Sequence, residues 1–294
     1  MLSQAFLRLG SKVVLLQSRA FLTVEDPELT APLFTALRQE GLEIVGDAEI
    51  SRIELAGTGP QGSGLKLILA DGTDIEASHL LYAAERMPLV EGLGLKAARV
   101  SYDKTGIKLD ADHRSRNRRI YAIRDNFDSF QSIKAACRDG EWVAEKLFGL
   151  SRPATVPVAR IIATDPEVAI IGLSEAQARA RHRAFRVSRA GFYDNLRAQT
   201  AAQPAGHSIA GHAKIIADSR GYLLGAGIVG AQARELIGIF GLALAKRLKA
   251  ADLLAVAAGE PTLIEVCRTA ALASRPQTGK VSLWRMLSTW RLLR

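Results

Sequence analysis

The sequence predicts a mixed chain, an α/β segment followed by a stretch of strand, hairpin and long helix. Three observations carry this. Twice near the start, over residues 1–16 and 26–55, a helical pattern is closed by a glycine and followed by an apolar strand-like run, the alternation of α/β units. Phe185–Phe192 reads as a strand, and from Lys214 the chain reads as strand, tight turn at Ser219-Arg220-Gly221, and strand. Residues 231–248 then give a long apolar helical run of the kind that covers a sheet face.

The 294 residues suffice for about two domains. A hydrophobic content of 48% with 23% charged residues is ordinary for a globular chain. The net charge of +9 is spread along the chain except at its end, which favours a solvated, arginine-rich surface over a nucleic-acid partner. Cys137 and Cys267 stand far apart and in no C-x-x-C pair. That excludes a disulfide scaffold and a zinc module, and suits a reducing compartment. The five histidines form no metal-ligand spacing. The longest apolar run of the interior, Leu236 to Ala245, is shorter than the roughly 18 residues that a spanning helix requires. The first twenty residues lack acids and carry Arg8, Lys12 and Arg19. A transit peptide has that composition, and so does the end of a helix followed by a buried strand.

In order, Ala5, Phe6 and Leu9 share a helical face, Gly10 stops the helix, and Val13–Leu16 reads as a buried strand. Asp26-Pro27 opens a second helix that ends by Gly41, proline being suited to a first helical turn. Leu42–Leu55 alternates like a strand, and Leu65–Leu69, Thr73–Ile75 and Leu80–Ala84 read as further strands. Gly57, Gly59 and Gly62 have G-x-G-x-x-G spacing but contain Pro60 and lead into a strand. A phosphate site needs helix amides aimed at the anion, so this is a hairpin loop. Phe127–Leu147 reads as a helix carrying Cys137, a small packing residue. Ser174 is a candidate N-cap for a helix beginning at Glu175. Phe185–Phe192 reads as a strand, and a short helix over Ala250–Ala257 follows the long one.

Several of these stretches resemble one family. AFLRLGSKVVLLQSRAFLTVEDPELTAPLFTALRQEGLEIV is similar to the NAD(P)H domain of the flavoprotein pyridine nucleotide-disulfide oxidoreductases, the dihydrolipoamide dehydrogenase and mercuric reductase family. There a G-x-G-x-x-G-x-E segment stands just before the matching helix. Met1 lies about where that segment ends, so the nicotinamide pyrophosphate loop is expected to be missing. LLYAAERMP (80–88) resembles the family's hhhATGRxPN, with Arg86 and Pro88 matching and Glu85 in place of glycine. LDADHRSRNRRIYAIRD (109–125) resembles the second flavin motif, which ends IYAxGD. Asp125 stands at the aspartate that the flavin's ribityl chain engages, and Arg124 replaces the glycine that lets the backbone approach. The adenine-nucleotide fingerprint and the C-x-x-x-x-C pair of the family's flavin domain are not found.

From Val158 the similarity is denser. VARIIATDPEVAIIGLSEAQARA, Asn195-Leu196-Arg197-Ala198 and His212–Ile237 resemble the family's dimerisation domain. GEPTLIE (259–265) resembles H-P-T-x-x-E, whose histidine is the acid/base that reaches the partner's active site and whose glutamate orients it. Here Glu260 stands at the histidine and Glu265 at the glutamate. Two facing carboxylates would repel, raising the pKa of one or sharing a proton. The simpler reading is that Pro261-Thr262 starts a helix with Glu265 in its first turn.

The resemblance implies an α/β remnant of FAD/NAD(P)-binding Rossmann-like domains followed by an α+β dimerisation domain. The expected division is 1–92, a truncated NAD(P)-binding domain; 93–152, a C-terminal remnant of the FAD-binding domain; 153–274, the dimerisation domain; and 275–294, a basic amphipathic tail. The implied activity is FAD-dependent NAD(P)H:disulfide oxidoreduction, with this chain alone expected to be inactive. The alternative is a non-catalytic dimerisation module or a decayed relative without cofactor. The implied cofactors are FAD and NAD(P)H, with neither necessarily bound by this chain, and no metal. Candidate site residues are Glu260 and Glu265 for catalysis and Asp125, Arg124 and Arg86 for cofactor. Expected partners are a second copy through 153–274 and an upstream flavin-domain polypeptide, with no nucleic acid. The tail over 276–294 carries basic residues and no acids, and Leu283, Trp284, Leu287 and Trp290 share a helical face. Peripheral contact with an anionic membrane is one reading and packing on its own domain the other. The expected location is cytoplasmic or at the membrane periphery.

Gly225, Gly227 and Gly230 form the second G-x-G-x-x-G. The strand expected before them is only Tyr222–Leu224, and no strand ending in an acid follows the helix. They are expected at a sheet edge and its turn into the interface helix, permitting close packing and binding nothing.

Overall fold

The structure is a computed structural model that describes residues 1–17, 26–59, 62–83, 88–123, 133–150, 157–202, 211–256 and 259–275. Its centre is a five-stranded antiparallel sheet in the second half of the chain, covered on both faces.

The first half begins with helix α1 (Leu2–Arg8), stopped by Gly10 at φ +95°. Strand β1 (Val14–Leu16), helix α2 (Pro27–Gln39) and strand β2 (Glu43–Val45) make a βαβ unit in which β1 and β2 pair in parallel. Asp26 caps α2 by accepting a hydrogen bond from Glu28 N, with Pro27 in the first turn. A three-stranded antiparallel sheet follows, β3 (Ile50–Gly59), β4 (Gly62–Leu69) and β5 (Asp74–Ala77). Gly57, Gly59 and Gly62 lie in or beside the β3–β4 hairpin, as their spacing before a strand implied. The two-residue strands β6 (Tyr102–Asp103) and β7 (Gly106–Ile107) pair before helix α3 (Ile133–Leu147).

The second half supplies β8 (Arg160–Ile162), β9 (Glu167–Gly172), helix α4 (Glu175–Arg181) and β10 (Phe185–Gly191). Helix α5 (Leu196–Ala202), β11 (His212–Asp218), β12 (Leu223–Gly230), α6 (Ala233–Ala245) and α7 (Glu265–Ala273) complete it. The strand order is β10-β11-β12-β9-β8. Ser174 caps α4 in a reciprocal capping box with Gln177. The β11–β12 turn is held by Asp218, whose Oδ1 accepts from Arg220 N and Tyr222 N, with Gly221 at φ +90°.

One sheet face carries Ala169, Ile171, Ala213, Ile215, Ala226 and Ile228 against α6, α7 and the 3-10 turn over Ala250–Ala255. The other carries Val168, Ile170 and Val229 against Leu29, Leu33 and Leu37 of α2. Double coverage explains why β9, β11 and β12 read as near-continuous apolar runs, since neither face meets water.

Four expectations change. Gly225, Gly227 and Gly230 lie within β12, a central strand rather than an edge, because β12 begins at Leu223 and pairs with both β11 and β9. Leu80–Tyr82 form no strand; among the described residues no neighbour pairs with them, and Tyr82 is 83% exposed. Phe6 and Leu9 of the first helix are exposed, whereas Gln4 is buried there. The Leu42–Leu55 alternation divides into β2 and β3 in different sheets. The expected tail over 276–294 lies outside the described residues.

Candidate functional site

The Glu260–Glu265 segment closes the second half of the chain. Asn195, which precedes α5, is buried and does two things at once. Its Oδ1 accepts from Ala198 N at 2.9 Å, capping α5, and its Nδ2 donates to Thr262 O at 2.9 Å. The Asn195-Leu196-Arg197-Ala198 signature therefore anchors the backbone of the candidate segment. The Glu260–Pro261 peptide is cis. Glu260 is exposed and has no side-chain partner among the described residues. Glu265 sits at the start of α7, and both its oxygens lie 2.9 Å from Arg268 Nη1. The two carboxylates thus have separate environments, and no shared-proton pair forms. Thr262 Oγ1 and Arg268 Nε are buried without a hydrogen-bond partner.

The other candidates, Arg86, Arg124 and Asp125, lie outside the described residues. Among the described residues, Ala122 N donates to His113 O at 3.0 Å in the turn over residues 109–122, and Gly140 of α3 leaves room for Ile123. A phosphate cradle for FAD or NAD(P)H needs unoccupied helix amides. The start of α2 offers the opposite, because Asp26 and Glu28 already occupy it and are held by Lys214. The start of α2 is therefore no phosphate cradle. Among the described residues, no group of His, Cys, Asp and Glu is arranged to hold a metal.

Polar contacts that the sequence did not announce join the two halves. Lys214 of β11 is 2% exposed, yet its Nζ lies 2.6 Å from Asp26 Oδ2, 2.7 Å from Glu28 Oε2 and 2.8 Å from Glu175 Oε2. Burial opposes the ammonium, but the hydrogen bonds to Asp26, Glu175 and Glu28 outweigh it and its pKa is raised. Arg189 also binds Glu28, and the Glu28 carboxyl is held down to about 2, chiefly by Arg189, with Lys214 adding to the effect against burial. At the end of β11, burial lowers the pKa of His212, whose Nε2 is buried without a hydrogen-bond partner. Gln4 makes a second junction: it donates to Asp165 O at 2.7 Å and accepts from Asp165 N at 2.9 Å. Arg8 pairs beside it with Glu40 and Asp165. The one legible signal was a lysine inside the apolar run His212–Ala217.

The glycines of β12 belong to this junction. Lys214 pairs with Gly227 across the ladder. A Cβ at Gly227 would overlap Leu29 Cδ1, one at Gly225 would overlap the backbone of Leu173, and one at Gly230 would meet the Phe192 ring. They let α2 and the β9–α4 connection approach the sheet.

Residues 158–271 match the family model for the pyridine nucleotide-disulphide oxidoreductase dimerisation domain, and residues 1–140 that for pyridine nucleotide-disulphide oxidoreductase. The chain is 31% identical over 256 residues to a mercuric reductase of Acidithiobacillus ferrooxidans, covering 86% of this chain and 45% of that protein. It is 30% identical over 278 residues to dihydrolipoyl dehydrogenase 3 of Pseudomonas aeruginosa, covering 92% and 58%. It therefore spans about half the length of the curated relatives it matches. In fold it resembles LpdA of Mycobacterium tuberculosis, with a TM-score of 0.80 at 24% identity over 92% of this chain and 58% of that one. It also resembles the HOCl-induced flavoprotein disulfide reductase RclA of Escherichia coli, with a TM-score of 0.81 at 21% identity over 93% and 62%.

Proposed function

The chain belongs to the pyridine nucleotide-disulphide oxidoreductase family, and from that premise we propose that it serves as a dimerising component of an FAD-dependent NAD(P)H:disulfide-type oxidoreductase. The observation that carries this is the doubly covered sheet of β8–β12 with α6 and α7, over the residues that match the dimerisation domain. Leu242 of α6, Leu272 of α7, Tyr193 and Leu196 are exposed apolar side chains available to a second copy. In this reading 153–274 forms the homodimer, 1–92 and 93–152 are the nucleotide-domain parts, and the tail over 276–294 makes peripheral membrane contact.

Hydride transfer between NAD(P)H and FAD is the chemistry such cofactors supply when bound. The chain's own dithiol is not available to it, because Cys137 is exposed on α3 whereas Cys267 is buried in α7, its thiol pushed up to about 12 by burial. A flavin-domain polypeptide would bring the redox pair. Glu260, at the family's histidine position, is open to a partner subunit.

A second reading, a non-catalytic dimerisation module, draws support from Glu260 and Glu265. An acid/base needs an orienting partner, and here Glu265 is committed to Arg268 instead. The purified chain separates the two. A visible flavin band together with NADH or NADPH oxidation favours the enzyme, whereas a colourless, NAD(P)H-inert dimer favours the module. A chain that stays monomeric at micromolar concentration in sedimentation velocity contradicts both.

A further inference from the structure

Lys66, Lys146 and Arg234 stand beside Asp74, Asp112 and Glu167. Two neighbouring turns gather cations without such partners. Residues 94–100 fold tightly, with Ala98 N donating to Gly94 O at 3.0 Å and Val100 N to Leu95 O at 2.9 Å. Leu95 and Val100 are buried, which leaves Lys96 and Arg99 outside. Residues 115–120 form the second turn, with Ser115 buried and its N–H donating to Ile120 O at 2.9 Å. Arg116, Arg118 and Arg119 are exposed there. Asn117 ties the turns together: its Nδ2 donates to Ala98 O at 2.8 Å, and its Oδ1 accepts from Arg119 N at 3.1 Å.

The two turns hold five cations and no acid. None of the five side chains has an ion pair or hydrogen bond among the described residues. Arg99 is also held at φ +56°, a left-handed position that favours glycine. Immediately before the first turn, Leu89 and Leu93 are 83% and 60% exposed. The acids nearest the five cations in sequence are Asp103, four residues after Arg99, and Asp112, four before Arg116 and paired with Lys146; Glu91 is exposed between the two leucines.

We infer that these two turns, with Leu89 and Leu93, form a docking surface for an anionic phospholipid bilayer. Cations at headgroup level and leucines reaching the acyl boundary are the two elements of peripheral membrane attachment. Single-stranded nucleic acid would call for aromatic planes beside the cations, and neither turn contains one. The inference does not rest on the catalytic or dimer reading, and it uses no residue of the tail.

The experiment is co-sedimentation of the full chain with phosphatidylcholine vesicles, with and without phosphatidylglycerol, at physiological salt. Arg116→Gln/Arg118→Gln/Arg119→Gln leaves 276–294 in place and should lower partition onto the anionic vesicles on the order of a hundredfold, the sum for three surface cations. Lys96→Gln/Arg99→Gly removes two more charges while relieving the left-handed arginine. It should keep or raise thermal stability and weaken binding roughly tenfold or more, so the proposal stays testable if the triple variant fails to fold. Wild-type chain that ignores anionic vesicles overturns the inference. So do variants that bind as wild type, because the attachment is then elsewhere. Loss of RNA binding in the variants, with vesicle binding unchanged, assigns the patch to nucleic acid instead and equally refutes it. Sedimentation velocity on the same samples reads the dimer separately.

Discussion

Replacing Lys214 with methionine tests whether the two halves of the chain are locked by charge. The substitution keeps an unbranched side chain of similar length, so packing beside Gly227 changes little. It removes the cation shared by Asp26, Glu28 and Glu175. Glu28 keeps Arg189, and Glu175 keeps Arg179 at 2.9 Å. Asp26 loses most, because its side chain is only 9% accessible and its remaining hydrogen-bond partner is the Glu28 amide. Breaking one side of a buried pair costs about 3–5 kcal/mol, since the orphaned charge stays desolvated. With two of three carboxylates still paired, the lower end applies, about 3 kcal/mol. Urea unfolding followed by circular dichroism should show a midpoint lowered by about 1 M, taking a slope near 3 kcal/mol/M. Asp26→Asn/Lys214→Met removes the orphan and should recover at least half of the loss. A Lys214→Met cost below about 1 kcal/mol, or a double variant no better than the single, would refute the lock.

Three further outcomes follow from the same geometry. Gly225→Ala should abolish folding or cost well over about 3 kcal/mol, because its methyl meets the backbone of Leu173. Gly227→Ala meets only the Leu29 side chain and should cost about 1–3 kcal/mol; the reverse order in thermal melts contradicts the packing. Iodoacetamide should label Cys137 in the native chain and Cys267 only after unfolding. Mass spectrometry of the native sample showing both modified would overturn that assignment. The junction should also weaken in acid. Neutral His212 resists charging, so the cost begins as pH falls below its ordinary 6.5. The Glu28 contribution is whole above 4.5 and is lost as pH falls toward 2. The raised Lys214 pKa sets the other limit, its contribution being lost only as pH rises above 10.5. A flat urea midpoint between pH 7 and pH 4 would contradict this.

Much of the second half was legible because its signals are local. The Ser174 cap, the Asp218–Gly221 turn and the apolar α6 follow from neighbours within a few residues. The α2 start at Asp26-Pro27 was legible for the same reason. The strand expected from Leu80 is absent over the described residues 80–83, because a strand is defined by its partner, and an apolar run does not reveal whether one is adjacent. Phe6 and Leu9 failed because helical periodicity identifies an apolar face but not which face is covered. Of the candidate site, the segment over Glu260–Glu265 was legible as a motif, but its geometry was not. The Arg268 that captures Glu265 lies on the same helix, whereas the Asn195 that pins Thr262 is 67 residues away. Lys214 was visible only as an anomaly, a charge in an apolar strand, with its three carboxylates brought from residues 26, 28 and 175.

The β12 glycines show how one spacing serves two structures. In a nucleotide loop, G-x-G-x-x-G needs the first two glycines at a turn and the last against a helix. In a strand, residues two apart share a face, so Gly225 and Gly227 open the same face of β12 and Gly230, at φ +145°, ends it. That is the face on which α2 lies, and Leu29 occupies the space that a side chain at 227 would fill. The close approach has a consequence for charge. It brings the start of α2 onto β11 beside Gly227, so that Asp26 and Glu28 reach a lysine otherwise buried without a counterion. The glycines and Lys214 are therefore one device: with side chains in place of the glycines the helix could not approach, and without the helix the lysine could not be buried.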